Sequence, residues 1–293
     1  MMTTVDLHVH STYSDGIHTP AELVGMAAEQ GLAAIAIADH DTIDGIDEAL
    51  AAGTGLGVEV IPAVELSVEH GRYRDMHVLG YYINHRDTRL GQMLADFRTK
   101  RDARARAIVA KINRRLGSDR KPLLSYEEVL ELAGGAVGRP HIGRMLVERG
   151  HARNMEDAFR RYLIPCDVPK QYLAAGEAIA EIRRTGGVAV LAHPTTVSDD
   201  RRQLRGIVGE LAALGIDGLE VYNNMCYKDD MIFLEFLCGE FGLLMTGGSD
   251  FHGFEDDVAI GIGRGGLAVS HRLAQAVKAL AESRRMPPPD GRP

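Results

Sequence analysis

The chain contains no tryptophan, and phenylalanine, tyrosine and tryptophan together make up only 5% of its 293 residues. So few aromatic side chains disfavour a protein that holds single-stranded nucleic acid mainly by base stacking. Cysteine is also scarce: Cys166, Cys226 and Cys238 are an odd and widely spaced set. Such a set argues against a disulfide framework and fits a reducing compartment, so we expect ordinary core or surface thiols.

The sequence also lacks an apolar run of about 18 residues or more, and its first residues carry neither the basic nor the apolar segment of a secretory signal. We therefore expect no membrane contact and a cytoplasmic location. The hydrophobic content of 45% and the charged content of 25% are ordinary for a globular protein. The formal net charge of -8 disfavours long polyanions, although bound divalent cations would offset part of it.

Histidines and carboxylates occur together in short blocks. The blocks are Asp6-Leu7-His8-Val9-His10, Asp39-His40-Asp41, His77, Ala192-His193-Pro194 and Ser249-Asp250-Phe251-His252. Residues two apart in a strand point to the same face, so His8 and His10 can bind one ion together, although a single such pair could equally serve packing. Imidazole nitrogen with carboxylate oxygen favours Zn, Mn or Fe over Ca or Mg. Because the pattern repeats after several apolar runs, it predicts a transition-metal site.

Strand and helix patterns alternate over residues 1–88 and again from residue 175. Thr19, Pro20 and Glu22 have the chemistry of a helix start. The predicted strands cover 5–9, 33–38, 58–61, 76–82, 187–192, 218–221 and 243–246, and the predicted helices cover 20–30, 175–185, 204–214 and 229–241. Repeated βα units imply parallel strands in a barrel or a doubly wound sheet. In a barrel, reactive residues gather at the carboxyl ends of strands, where the histidine blocks fall.

The alternation stops between residues 89 and 174, where only helical patterns follow one another. Ser125 with Glu128 predicts a capping box, Pro140 opens another helix, and Asn154 can cap a further one. We predict a helical insertion that forms a lid over the mouth of a barrel made of residues 1–88 and 175–283. Residues 284–293 are expected to form a disordered tail.

Six segments share their pattern with a known family. They are Asp6-Leu-His-Val-His-Ser-Thr-Tyr-Ser-Asp-Gly, Ala38-Asp-His-Asp-Thr, Pro62-Ala-Val-Glu65, His77, Ala192-His-Pro and Gly248-Ser-Asp-Phe-His-Gly. In this combination they resemble the PHP (polymerase and histidinol phosphatase) family. The insert, with Arg101-x-x-Arg104 and Gly138-Arg-Pro-His141, resembles its stand-alone phosphoesterases, which include nucleoside 3',5'-bisphosphate phosphatases and a 5'-3' exoribonuclease. The resemblance implies a distorted (β/α)7 barrel that holds a three-metal cluster.

The resemblance also implies roles for individual residues. The first ion would be held by His8, His10, Glu65 and Asp250, the second by Glu65, His77 and His193, and the third by Asp15, His40 and His252. Two or three divalent transition-metal ions are expected, Mn first, with Zn or Fe as alternatives. Asp39 and Asp41 are assigned to orienting His40 or to forming loops. Metal-activated hydroxide would attack phosphorus, with Glu65 and His193 as catalytic residues and His193 as a candidate proton donor to the leaving alkoxide.

Five basic residues are candidates for binding substrate. They are Arg101, Arg104, Arg139, His141 and Lys170. Arg139 and His141 flank Pro140 at a predicted helix start, where free N–H groups favour an anion, although Arg139 could simply be a solvated cap residue. Arg101 and Arg104 lie near an apolar helix face, which is unusual for charges that face only solvent.

The segment around Lys170 departs from its relatives. Those of the nucleotide-bisphosphatase type often carry a Gly-Lys-Pro-Ala-Tyr-Val-like segment, where this chain has Leu163-Ile-Pro-Cys-Asp-Val-Pro-Lys-Gln-Tyr172. The departure admits small sugar phosphates, such as phosphoribosyl 1,2-cyclic phosphate, beside nucleotides as substrates.

Three functions are compatible with these patterns. The first is a metal-dependent phosphoesterase for a small, doubly phosphorylated metabolite of the nucleoside 3',5'-bisphosphate or phosphoribosyl 1,2-cyclic phosphate type. The second is a 5'-3' exoribonuclease that uses residues 98–121, with ten Lys or Arg against two Asp, as a basic track, although an exposed soluble helix explains most of these charges equally well. The third, a non-catalytic metal-binding module, predicts broken ligand sets. The oligomeric state stays open.

Overall fold

The structure is a computed structural model that describes residues 3–133, 137–254 and 256–286. Its strands are β1 (Thr4–Val9), β2 (Ala34–Ile37), β3 (Glu59–His70), β4 (Tyr73–Tyr81), β5 (Leu173–Ala174), β6 (Val188–Leu191), β7 (Gly218–Tyr222), β8 (Leu244–Gly247) and β9 (Val269–Ser270). Its α-helices are α1 (Pro20–Glu29), α2 (Ile46–Leu56), α3 (Thr88–Ser118), α4 (Tyr126–Ala133), α5 (Arg139–Glu148), α6 (Met155–Ala158), α7 (Ala175–Arg184), α8 (Arg201–Ala213), α9 (Lys228–Phe241) and α10 (His271–Arg285).

The strands form one sheet in the order β8-β7-β6-β4-β3-β2-β1-β9, and β5 pairs with β3. Val9, at the end of β1, forms a parallel bridge with Phe251, which follows β8, so the two ends of the sheet approach each other. The result is a nearly closed barrel with helices packed outside it, and the prediction of a distorted α/β barrel is confirmed.

The repeated βα units predicted parallel strands throughout, but three pairs of strands are antiparallel. β4 runs antiparallel to both β3 and β6, and β9 runs antiparallel to β1. The reason lies in β3, which continues past the predicted end at residue 61 to His70 and turns back at Gly71, whose φ of 56° favours glycine. Glu65, expected after the third strand, therefore lies within β3, opposite Leu79 of β4.

Nearly all residues of β1, β2, β6 and β7 are buried, as expected for strands covered by helices. One apolar cluster joins Val5, Leu7, Ile61, Leu79 and Val190 to residues of α10. A second cluster packs the outer surface of the β3–β4 hairpin and β6–β7 against α7, α8 and α9. This packing fixes the strand ends on which the histidine blocks sit.

The helices between residues 88 and 163 share an apolar core of their own. The beginning of α3, at Leu90 and Leu94, belongs to the cluster that packs the β3–β4 hairpin against α7, α8 and α9. Ile108 and Ile112 belong to a separate cluster with α4, α5 and the π-helical turn Phe159–Leu163. α3 thus ties the helical region to the barrel. That this region acts as a separate lid stays a prediction.

Three predicted helix starts are found where the sequence indicated them, whereas α8 begins at Arg201, three residues before the predicted start at residue 204. At the capping box predicted for Ser125 and Glu128, Ser125 Oγ accepts from Glu128 N over 3.4 Å and donates to Glu127 Oε2 over 3.0 Å. Thr19 accepts a hydrogen bond of 3.2 Å from Glu22 N and donates its own N–H to Glu22 Oε2 over 2.8 Å, which is a complete capping box. Asn154 accepts from Asp157 N over 2.9 Å at the start of α6. Pro140 lies in the first turn of α5.

Two helices have no counterpart in the sequence prediction, α2 and α10. α2 contains Gly53 and Gly55, which lower intrinsic helix propensity, and tertiary packing against α1 and β3 overrides it. α10 includes Arg284 and Arg285, which the sequence had placed in the tail. Arg284 donates to Asp217 over 2.8 Å, which explains why the helix continues. The rest of the expected tail, 287–293, lies outside the described residues.

Within the described ranges, no helix combines the length and the apolar character needed to cross a bilayer.

Candidate metal centre and its cavity

Glu65 lies at the centre of the converging histidines. Its Oε1 is 3.0 Å from His77 Nδ1 and 3.1 Å from His193 Nε2. Its Oε2 is 2.9 Å from His40 Nδ1 and 3.4 Å from Nε2 of both His8 and His10. One fully buried carboxylate therefore touches histidines from five different positions of the barrel mouth.

His8 and His10 project together from the end of β1, as residues two apart in a strand should. Their Nε2 atoms are 3.1 Å apart, and Asp250 Oδ1 lies 3.5 Å from the first and 3.1 Å from the second. Asp250 follows β8 with a left-handed φ of 50°, a strained conformation that turns its carboxylate toward β1.

Asp15, His40 and His252 form the outer part of the cluster. Asp15 Oδ1 is 3.4 Å from His252 Nε2, and Asp15 Oδ2 is 3.8 Å from His40 Nε2. His10 reaches this group too, since its Nδ1 lies 3.7 Å from Asp15 Oδ1 and its ring stacks on His252 at 4.2 Å between centroids. The structure thus brings all nine residues of the expected ligand set together.

Three groups of ligand atoms in this cluster have the spacing of a metal site. They are His8, His10 and Glu65; His40, Glu65 and His77; and His10, Asp15, His40 and His252. The groups overlap the sets implied by family resemblance without matching them one for one. His10 and His40 each belong to two groups, and His193 and Asp250 belong to none of the three.

The ligand atoms of the cluster are arranged to bind a cation and not to form hydrogen bonds with one another. Asp15 Oδ1, His40 Nδ1 and Glu65 Oε2 are buried atoms without a hydrogen-bond partner within the described structure. The last two lie 2.9 Å apart, so they face each other without the geometry of a hydrogen bond. Buried polar atoms are rarely left unsatisfied, and lone pairs that converge in this way are what ligands of a divalent ion require.

The pKa values of two residues in the cluster also indicate that this site favours positive charge. Burial raises the pKa of Glu65, but the neighbouring His40 and His77 outweigh burial and hold this pKa well below its usual range. Burial lowers the pKa of His252, yet Asp15 more than offsets it and the pKa rises to about 10. Both shifts show that the acids of the centre favour positive charge beside them, which divalent cations can supply.

The loops that carry the ligands are braced by buried carboxylates. Asp39 accepts hydrogen bonds from Ser11 N over 2.8 Å and from Ser14 Oγ over 2.5 Å, and Asp41 accepts from Ser67 N over 2.8 Å. Of the two roles considered for Asp39 and Asp41, these contacts correspond to loop formation. Asp6 similarly accepts from Ser249 N over 2.9 Å and from Gly261 N over 2.8 Å, which ties β1 to the loop after β8.

Glu220 is a buried acid of the centre that sequence patterns did not single out. It lies on β7 and is fully buried. Its Oε1 is 2.9 Å from His8 Nδ1, and its Oε2 accepts a 2.7 Å hydrogen bond from His193 N. The available signal was a carboxylate inside the apolar strand Gly218-Leu-Glu-Val-Tyr222, a position where an unpaired acid would be costly.

A cavity of about 410 Å³ opens beside the cluster. The ligand candidates Asp15, His40 and His77 line it. A cationic wall also lines it, which consists of Lys100, Arg101, Arg104, Arg139 and Lys170. Four of the five residues expected to bind substrate therefore face one space together with the metal centre. The fifth, His141, does not line it; its Nδ1 accepts from Gly138 N over 3.0 Å at the start of α5.

Among the described residues, three carboxylates pair with the five cavity cations, and one of them is Asp41, 3.9 Å from Arg101. Asp167 serves both Arg104, over 2.7 Å, and Arg139, over 3.6 Å. Lys170 Nζ lies 3.7 Å from Asp75, whose carboxylate already accepts a 2.6 Å hydrogen bond from Tyr172. Burial lowers the pKa of Lys170, as does Arg101 nearby, while Asp41 opposes the shift. An anion in the cavity would relieve this surplus of positive charge.

Several known proteins are similar to this chain in sequence or structure. The PHP domain model matches residues 6–166. A 5'-3' exoribonuclease from Haemophilus influenzae is 35% identical over 255 residues, 86% of this chain and 91% of that protein. A 3',5'-nucleoside bisphosphate phosphatase from Chromobacterium violaceum is 32% identical over 285 residues, 92% of each chain. A crystal structure from Bifidobacterium adolescentis, described as a candidate metal-dependent phosphoesterase, superposes with a TM-score of 0.82 at 27% identity over 95% and 96% of the two chains.

The relatives and the geometry of the cluster both indicate a hydrolytic enzyme with a metal centre. The reading as a non-catalytic module required broken ligand sets, whereas the nine candidate ligands converge at one mouth. The chain is a metal-dependent phosphoric ester hydrolase, and it belongs to the PHP domain family.

Proposed function

We propose that this enzyme hydrolyses a phosphate ester of a small metabolite that carries a second anionic group, with nucleoside 3',5'-bisphosphates as the first class and phosphoribosyl 1,2-cyclic phosphate as the second. The observation that carries the proposal is the cavity of about 410 Å³ that residues of the metal centre and of the cationic wall line together. Its size is that of an ordinary small-molecule site. The relative from Chromobacterium violaceum, a 3',5'-nucleoside bisphosphate phosphatase, supports the nucleotide class.

The metal ligands of the proposal are the nine residues of the cluster. They are His8, His10, Asp15, His40, Glu65, His77, His193, Asp250 and His252. Mn²⁺ is proposed as the native ion because a mixed set of imidazoles and carboxylates suits it, with Zn²⁺ and Fe²⁺ as the competitors to be tested. When bound, divalent ions supply Lewis-acid stabilisation of charge on the phosphoryl oxygens and generate the nucleophile near neutral pH.

The protein's own part is to orient the ester and to hold its second anion. Arg101, Arg139 and Lys170 face the cavity and would bind the anion that does not react. His193 has its Nε2 at 3.1 Å from Glu65 and its Nδ1 at 3.0 Å from Thr196 Oγ1. This orientation favours a ligand role, since one ring nitrogen cannot both bind an ion and donate a proton to the leaving oxygen.

We predict two or three transition-metal ions per chain. The nine candidate ligands exceed what one ion can coordinate, and seven of them supply the atoms of the three groups with metal-site spacing. Elemental analysis of active protein from Mn-supplemented cultures tests this, with the activity of each preparation measured in parallel. One equivalent or less in fully active protein would contradict the prediction.

A second function, 5'-3' exoribonuclease, is favoured by one specific feature. Lys100, Arg104, Lys111 and Arg115 recur at helical spacing and share one side of α3, so the cationic surface continues beyond the cavity. The relative from Haemophilus influenzae, a 5'-3' exoribonuclease, supports this reading. Against it, several of these charges are already engaged: Lys111 Nζ donates to Asp167 O over 2.6 Å, and Arg104 is paired with Asp167.

Chain length and salt separate the two functions. For the small-substrate enzyme, kcat/KM on a nucleoside 3',5'-bisphosphate should exceed that on a long 5'-phosphorylated RNA at equal concentration of ends. Its activity should fall only modestly with salt, because few phosphates are contacted and few counterions released. Rates measured with Mn²⁺ on the two substrates across a salt series provide the test. A kcat/KM that rises with RNA length and falls steeply with salt would establish the exoribonuclease function instead.

A further inference from the structure

Glu220 contacts two candidate metal ligands, His8 and His193, at atoms that do not face the centre. It is fully buried on β7, and its two oxygens have different partners: His8 Nδ1 at 2.9 Å and His193 N at 2.7 Å. His8 lies in β1, one residue before its end, whereas His193 follows β6. A single carboxylate therefore holds residues that come from opposite halves of the chain.

His8 needs a partner that fixes its tautomer. A neutral imidazole carries its proton on one nitrogen, and the hydrogen bond made by that nitrogen decides which one is free to bind a metal. When His8 Nδ1–H donates to Glu220, the bare Nε2 faces Glu65 Oε2 at 3.4 Å and Asp250 Oδ1 at 3.5 Å. Glu220 thus presents the ligand atom of His8 to the centre.

His193 needs a partner for its backbone. Its φ of 28° lies in the left-handed region, which costs free energy for any residue other than glycine. The hydrogen bond from its N–H to Glu220 stabilises this conformation, and Thr196 N donates to His193 O over 3.0 Å on the other side. The strained backbone directs the ring to Glu65.

We propose that Glu220 is a positioning residue of the metal centre, which fixes the Nδ1–H form of His8 and the backbone of His193 at the same time. The inference rests on the ligand set of the proposed function. A glutamine would be a poor replacement although it has the same shape, because its amide has one acceptor and one donor. Either its NH₂ group meets His8 Nδ1, which moves the proton to Nε2 and blocks the ligand atom, or it meets the N–H of His193.

Metal binding by Glu220→Gln tests this inference. Metal-free wild type, Glu220→Gln and the control Glu235→Gln are titrated calorimetrically with Mn²⁺, and their metal-free melting temperatures are recorded. Glu235 is a matched control because it also accepts a hydrogen bond, 2.8 Å from Tyr222 Oη, but lies on α9. We expect at least one Mn²⁺ site of Glu220→Gln to weaken by about 10- to 100-fold, the usual effect of losing a partner of a metal ligand. Glu235→Gln should bind like wild type.

The outcomes distinguish a failure of the positioning role of Glu220 from a failure of the proposed ligand set. Unchanged Mn²⁺ affinity in Glu220→Gln, with or without a lower metal-free melting temperature, would overturn the positioning role while leaving the ligand set intact. Wild type that binds no Mn²⁺ would refute the ligand set, and the role of Glu220 with it. If Glu220→Gln does not fold, ¹⁵N NMR of the His8 ring in Zn²⁺-loaded wild type decides the matter. A protonated Nδ1 supports the proposal, and a metal-bound Nδ1 overturns it.

Discussion

Replacing Glu65 by glutamine should abolish phosphoesterase activity and leave the fold intact. Both oxygens of Glu65 contact histidines of different ligand groups, over 2.9 to 3.4 Å, so the change affects at least two proposed ion sites at once. Metal ions supply several kcal/mol of transition-state stabilisation in hydrolases. Since about 1.4 kcal/mol corresponds to a tenfold rate change, we expect kcat/KM to fall by about three orders of magnitude or more.

The control for this variant is Glu69→Gln. Glu69 lies on the same strand, β3, but its side chain is 39% exposed and pairs with Arg74 at 3.5 Å. We expect Glu69→Gln to retain wild-type kcat/KM and bound Mn. Glu65→Gln should keep the wild-type fold by circular dichroism, because Val64 and Leu66 beside it pack in the apolar core. Its metal-free melting temperature should fall, because the surrounding histidines lose a buried counter-charge. Residual activity within tenfold of wild type would refute the central role of Glu65.

The residues of the metal centre could be predicted from the sequence because strand ends carry them. His8, His10, His40 and His193 each follow an apolar run, and parallel strands bring such positions to one edge of a barrel. Glu65 and His77 are different: they lie inside β3 and β4, where the hairpin brings their side chains into the same mouth. The sequence had placed Glu65 after the predicted third strand and His77 on the fourth, and their assignment as metal ligands came from the resemblance to a family.

The antiparallel hairpin was not predictable from periodicity. An apolar strand of a mixed sheet has the same two-residue alternation whichever way its neighbour runs. Gly71 marks the turn, but a glycine after His70 is equally compatible with a loop to a parallel strand. The direction of β4 depends on contacts between residues far apart in the chain, such as Leu79 with Val190 of β6.

Glu220 was missed for a related physical reason. A single acid in a strand has no periodic partner, and its hydrogen bonds go to His8 and to the backbone of His193, neither of which is near it in sequence. The substrate-binding candidates were difficult to identify for a different reason. Arg101, Arg104 and Arg139 were ambiguous because exposed helices commonly carry arginine, and only the packing of α3 against α5 and the turn after α6 places them at one cavity.

Replacing Arg139 by alanine should change substrate preference more than it changes chemistry. Arg139 lines the cavity at the first turn of α5, and its guanidinium shares Asp167 with Arg104, which lies closer to that acid. It therefore retains positive charge for an anion. Loss of a charge-assisted hydrogen bond costs about 1.5 to 3 kcal/mol, so kcat/KM on a nucleoside 3',5'-bisphosphate should fall by about one to two orders of magnitude.

Hydrolysis of p-nitrophenyl phosphate, which has no second anion, should change little in the same variant. Arg144→Ala is the matched control, because Arg144 lies on the same helix, is exposed and pairs with Glu148 over 3.0 Å. It should behave like wild type on both substrates. If Arg139→Ala loses activity equally on both, Arg139 acts on the reacting phosphate or on folding, and the second anion must be bound elsewhere along the cationic wall. The ratio of the two kcat/KM values, which cancels differences in active enzyme between preparations, distinguishes these cases directly.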